Sequence, residues 1–197
     1  KGNHQTWNVL NNAFTSSSLQ NAIDYTSSAS SNALLISGNT LTNIQAEAIA
    51  MTLSGSGKSF SFDLTENTIS SNGPVLSSTA GTSQKSSTYT ISKNTLIRTS
   101  DGNLITLQTG KTSDVIIAQN DISYPKTSLT SDPLFDLSTS SPTLLTTTFS
   151  LQNNTFSNAN IATFVDLNFS GNSRATVDIS KNMLSSLKAG KITATQK

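Results

Sequence analysis

Two short segments set a carboxylate between apolar neighbours, Phe135-Asp136-Leu137 and Val165-Asp166-Leu167. Near the start of the chain, Ile23-Asp24-Tyr25 repeats the pattern. Paired carboxylates can divide general-acid and general-base work on a glycosidic bond, or they can hold a cation. Either use needs a rigid support that brings them side by side. The groups that usually complete such a site are scarce. The single His is His4, and the only Arg residues are Arg98 and Arg174. No acidic triad suited to calcium is visible, and cysteine is absent, so disulfides are excluded.

The support comes from an internal repeat. Seven segments align, among them Leu34-Leu-Ile-Ser-Gly-Asn-Thr-Leu41, Tyr89-Thr-Ile-Ser-Lys-Asn-Thr-Leu96 and Val177-Asp-Ile-Ser-Lys-Asn-Met-Leu184. Each has an Asn as its sixth residue: Asn12, Asn39, Asn67, Asn94, Asn120, Asn154 and Asn182, spaced by 27, 28, 27, 26, 34 and 28 residues. Apolar residues stand five and three positions before the Asn and two positions after it in all seven segments. A separation of two puts the first pair on one face of a short strand. The step from the second apolar site to the third is odd, so the chain has to turn between them. Asn tolerates the left-handed conformation that a tight bend requires, which suits it to that corner. Stacking would align the seven amides into a mutually hydrogen-bonded ladder, in which buried amides satisfy one another.

A further apolar strand follows each Asn after about 10–14 residues. Examples are Ala48-Ile-Ala-Met-Thr-Leu53, Leu104-Ile-Thr-Leu107, Leu134-Phe-Asp-Leu137 and Phe164-Val-Asp-Leu167, with weaker forms at Ala22-Ile-Asp-Tyr25 and Val75-Leu76. Three strands and three bends per coil predict a triangular prism. Its architecture is an all-β, right-handed, single-stranded parallel β-helix of about seven coils of about 27 residues with an Asn ladder. At about 4.8 Å per coil, the rod is roughly 34 Å long. The final residues, Lys188-Ala-Gly-Lys-Ile-Thr-Ala-Thr-Gln-Lys197, read as a coil that runs out. The gap from Asn120 to Asn154 holds three of the four prolines and reads as a stiffened, protruding loop.

On this frame Asp136 and Asp166 occupy equivalent outward sites on neighbouring strands, about 5 Å apart. Asp24 takes the site in the first coil, Thr52 in the second and Thr106 in the fourth. Stacked carboxylates repel unless a cation or a shared proton intervenes. The residue set favours a solvated outward pair over a cation site, and a cation site over catalysis. No residue is assigned a catalytic, cofactor-binding or metal role; Asp24, Thr106, Asp136 and Asp166 are held as a surface column for a ligand or cation. Trp7, the only Trp, falls on an inward column and reads as core.

The alternation of Ile or Leu, Asn and a second apolar strand resembles the parallel β-helix repeat proteins. That group includes pectin-degrading enzymes, phage tailspikes and surface adhesins. The resemblance spans essentially the whole chain and implies the fold; it leaves activity open. Pectin-active members carry acidic clusters on the face of this strand together with an Arg, a Lys or a Gly-His-Gly, and the last is missing here.

Composition points the same way. The chain has 197 residues, 34% hydrophobic and 12% charged, with a formal net charge of +1. Ser and Thr supply about a third of it. No basic stripe marks a nucleic-acid partner, and no apolar run reaches the length of a membrane span. Residues 1–197 are expected to form one β-helix domain cut from a longer repeat protein, extracellular or on a cell surface, and not an enzyme. No cofactor is expected. The partners expected are glycans, host or neighbouring surface proteins, and further coils of the parent chain or end-to-end copies. The alternative is a carbohydrate-binding or polysaccharide-degrading module that uses the outward carboxylate face.

Overall fold

The computed structural model describes residues 4–15, 20–54, 59–80, 85–124, 132–139, 146–157, 163–169, 174–185 and 191–196. Twenty-one strands form three seven-stranded sheets, and every pairing between neighbours is parallel. The chain visits each sheet once per rung, which makes a parallel β-helix. The first rung contains β1 (His4–Leu10), β2 (Ala13–Thr15) and β3 (Ile23–Ser27). The last contains β19 (Arg174–Ser180), β20 (Met183–Ser185) and β21 (Lys191–Gln196). The tail, read from sequence as running out, therefore supplies a third strand, β21, paired with β18 (Thr163–Phe169). The proline-rich connection lies largely at 125–131 and 140–145, outside the described residues.

The apolar columns expected from the repeat point inward. Leu34, Phe62, Tyr89, Val115 and Phe149 form one buried column, and Leu41, Ile69, Leu96, Ile122 and Phe156 another. Aromatic rings add directional contacts along the axis. Phe156 and Phe164 meet edge-on at 4.8 Å between centroids, and Phe60 meets Tyr89 in the same way at 5.7 Å. Trp7 occupies the inward column opposite Leu34, yet 56% of it is exposed because its rung is the first. Its side chain keeps the inward column expected of it and meets Tyr25 edge-on, with ring centroids 6.5 Å apart.

A third inward column of the first sheet escaped the repeat pattern: Asn32, Phe60, Ser87, Ser113 and Thr147 are all buried. Most of them are polar: Ser87 Oγ donates to Ser113 Oγ at 3.3 Å, while Thr147 Oγ1 is enclosed without a partner among the described residues. Ser27 Oγ donates to Asn32 Oδ1 at 2.9 Å, and the Ser78 and Tyr89 hydroxyls are 3.0 Å apart. Burial pushes the Tyr89 phenol up to about 12, against the opposing hydrogen bonds of Ser78 and Ser87.

The Asn ladder is continuous from Asn12 to Asn182. Each Asn donates its backbone N–H and its Nδ2 to Oδ1 of the next. The Nδ2 of Asn94 also reaches Ser92 O in its own rung and Leu64 O in the rung before, both at 2.9 Å. The bend itself is made differently from the sequence reading. The left-handed residue is the one before each ladder Asn: Asn11, Gly38, Glu66, Lys93, Gln119, Asn153 and Lys181, with φ between 55° and 68°. The ladder Asn is held by its side chain, while its outward neighbour takes the positive φ. A non-Gly residue there costs about 1–2 kcal/mol, which the ladder bonds outweigh.

Two outcomes follow for urea denaturation. Asn94→Ala strands buried donors and acceptors on both sides and is expected to lower stability by about 3–5 kcal/mol; Asn12→Ala at the open edge is expected to cost about 1 kcal/mol. Gln119→Gly, which relieves a positive φ without touching the ladder, is expected to add up to about 1 kcal/mol.

Candidate functional site

The third sheet carries the carboxylates. Its outward column reads Asp24, Ala50, Ser77, Thr106, Asp136, Asp166 and Thr193 from first rung to last. Asp136 and Asp166 are direct neighbours across β15 (Phe135–Thr139) and β18. Thr106 adjoins them on β12 (Ile105–Thr109). Thr52 does not belong to this column: Ala50 holds the second-rung site, and Thr52 pairs with Thr26 two residues along. The two-residue error keeps the outward face because alternation has period two, so only register could expose it. Asp24 is exposed and stands four rungs from Asp136, about 19 Å at 4.8 Å per rung. It cannot share a small ligand with the pair.

The pair is half-buried, and this sets its electrostatics. Burial raises the Asp136 carboxyl above its ordinary value, and the Asp166 carboxylate raises it further. Asp166 Oδ2 accepts a hydrogen bond from Asn168 Nδ2 at 3.1 Å. Its Oδ1 is enclosed without a hydrogen-bond partner. The arrangement can hold one proton more tightly than an isolated carboxylate does.

Other groups suited to chemistry lie elsewhere. His4 is on the first sheet, where Nδ1 is 3.2 Å from Ser31 Oγ. Arg174 is exposed at the start of β19, also on the first sheet. Among the described residues, no three His, Cys, Asp or Glu side chains gather as metal ligands.

One polar cluster was not foreseen. Arg98 ends β11 (Thr95–Arg98) and turns inward, only 5% exposed, on the column that Ser71 occupies in the preceding rung. Its guanidinium donates to the carbonyls of Asn72 and Asp101. Tyr124 Oη donates to Gly102 O at 3.0 Å. Burial lowers the Arg98 pKa, and Tyr124 and Asp132 act against that shift. Gly102 has φ +106°, and a Cβ there would come within 2.9 Å of Arg98 Nη2. The cluster ties the bend after β11 to residues flanking the proline-rich connection. The only signal in the sequence was alternation: Arg98 is two residues beyond the inward Leu96.

No protein-family model matches the chain, and no curated protein or solved structure matches it.

The Asp136 shift has a sign that can be checked. A carboxyl whose pKa is raised by folding binds its proton more tightly in the folded state, so stability falls as pH rises from the ordinary carboxylate pKa through the raised one. Asp136→Asn is therefore expected to be more stable than the parent at pH 7, by about 0.5 kcal/mol, the scale of a like-charge pair on facing strands. At pH 3 the difference should vanish in paired thermal or urea melts.

Proposed function

We propose that this chain is a non-enzymatic structural and adhesive segment of a large secreted or cell-surface β-helix protein, akin to the adhesins of that group. The outward face of the first sheet carries this reading. Its strands run in unbroken register from β1 to β19. Ser31, Ser59, Ser86, Thr112 and Thr146 stack in one outward column, and Ser61, Thr88, Thr148 and Thr176 share the next with Ala33 and Asp114. Ser31 Oγ and Ser59 Oγ are 2.9 Å apart, so the hydroxyls also order one another. A stiff, weakly charged lattice of hydroxyls suits many small hydrogen bonds to glycans or to neighbouring surface proteins. The ladder and the apolar columns keep that lattice rigid over the length of the rod.

The second reading is a carbohydrate-binding or polysaccharide-degrading module on the third sheet. The raised Asp136 carboxyl beside Asp166 favours it, since a proton-holding carboxyl is what a general acid needs.

Beads coated with the chain separate the two readings. Attachment to glycan- or protein-coated surfaces is expected to survive Asp136→Asn/Asp166→Asn. It is expected to fall severalfold in Thr88→Glu/Thr148→Glu, which adds charge to the hydroxyl face. Polysaccharide turnover by the parent chain that disappears in the double Asn variant would sink the structural reading.

A further inference from the structure

Each corner of the ladder turns one side chain inward and the residues on either side of it outward. Between β16 (Thr146–Gln152) and β17 (Thr155–Ser157) the corner reads Asn153-Asn154-Thr155. Asn154 points inward and donates its backbone N–H and its Nδ2 to Asn182 Oδ1, both at 3.0 Å. Asn153 is exposed at φ 55°, and its backbone N–H donates to Ser180 O at 3.3 Å. Thr155 is partly exposed on the outer face of the second sheet. An accessible Asn amide with a Thr hydroxyl two residues on is the acceptor pattern for an N-linked glycan. Thr40, Thr68 and Thr95 stand at the equivalent place in other rungs, but Gly38, Glu66 and Lys93 hold the left-handed position before them. Asn11 holds that position in the first rung, and there Ala13 supplies no hydroxyl. The chain's Asn-x-Ser, Asn168-Phe169-Ser170, is placed differently. Asn168 is half-buried within β18, and its Nδ2 is committed to Asp166 Oδ2 at 3.1 Å.

Resting on the reading of the chain as secreted or displayed at a cell surface, we infer that Asn153 is a modification site that carries an N-linked glycan. The donor class is an oligosaccharide held on a polyprenyl diphosphate. Asn153 Nδ2 attacks the anomeric carbon; the new C–N bond forms as the C–O bond to the diphosphate breaks. Nδ2 gives up one proton to a base of the transferase, the diphosphate leaves with the electron pair, and nothing is oxidised or reduced. The amide nitrogen is a weak nucleophile because its lone pair is delocalised into the carbonyl, so the acceptor has to be reachable and held by the neighbouring hydroxyl. Asn153 meets the first condition and Thr155 the second. The ladder is untouched by the attachment, because Asn154 supplies the buried bonds and Asn153 only the left-handed conformation, which Asn tolerates. Gln119 and Lys181, which hold this position in the adjacent rungs, are exposed as well. Thr148 lies back along β16, about 16 Å away at 3.3 Å per residue. The attachment point is therefore at the edge of the hydroxyl face and not within it.

The test is to secrete the chain from a eukaryotic cell line behind an added signal peptide and to map the carbohydrate by glycopeptide mass spectrometry. A glycan is expected on Asn153, with a downward gel shift after enzymatic deglycosylation. The modification should be lost in Asn153→Gln and in Thr155→Val, which keeps the side-chain shape and removes the hydroxyl, and kept in Thr155→Ser. Gln119 already holds the same corner position one rung earlier, so Asn153→Gln should fold, and its urea midpoint should coincide with that of the glycosylated chain. Lys93→Asn creates the same corner pattern ahead of Thr95 and should add a second glycan. An unmodified Asn153 in the secreted chain, occupancy of Asn168 in its place, or a glycan that survives Thr155→Val would overturn the proposal. A glycosylated chain that melts at clearly lower urea than Asn153→Gln would overturn it too. Bead attachment by the Asn153→Gln chain reads the hydroxyl face alone, so the adhesive reading and this one fail separately.

Discussion

The structure depends on satisfying a buried amide at the same corner of every rung. A tight bend that carries its side chain inward would bury a polar group at a cost of a few kcal/mol if left alone. Here Asn67 and Asn94 accept through Oδ1 from the ladder Asn before and donate both to Oδ1 of the one after and to a carbonyl of the rung before, so a single cost becomes a shared chain of bonds. That chain fixes the rung-to-rung register, and the register determines which side chains share a column. The inward aromatics, the hydroxyl lattice of the first sheet and the stacked carboxylates of the third all follow from it.

The ladder also explains why the bend tolerates Glu66, Lys93 and Gln119 at positive φ, where Gly would be easier. Backbone strain at an exposed residue is small beside the loss of a buried amide network. The inside Asn supplies the hydrogen bonds, and the outside residue supplies the conformation. Lys93 and Glu66, on successive rungs of this edge, form an ion pair at 3.8 Å. Both partners are well exposed, so the pair adds little stability.

Polar groups inside and outside the prism meet different fates. Arg98 and the Tyr89–Ser78 pair are enclosed and have partners, so they stiffen the bends and the core. Asp136 and Asp166 are half-buried and repel, so this pair works against the fold. A rod built this way has faces that differ in chemistry while sharing one spacing. It presents hydroxyl columns on one side and a close pair of carboxyl groups on another.

Sequence alone determined the coil length, the seven ladder Asn residues, the apolar inward columns of the repeat and the neighbouring placement of Asp136 and Asp166. All of these rest on period-two alternation and a fixed spacing, which are local properties of the chain. The tertiary structure decided what depends on contacts between rungs. It placed Ala50 and not Thr52 in the carboxylate column, because alternation fixes the face but cannot fix the register. It moved the left-handed residue to the position before the Asn, because the amide's bonds to adjacent rungs dictate where the chain can turn. It enclosed Arg98 against the carbonyls of Asn72 and Asp101, because those acceptors come from the bends of two successive rungs and no single repeat contains them both.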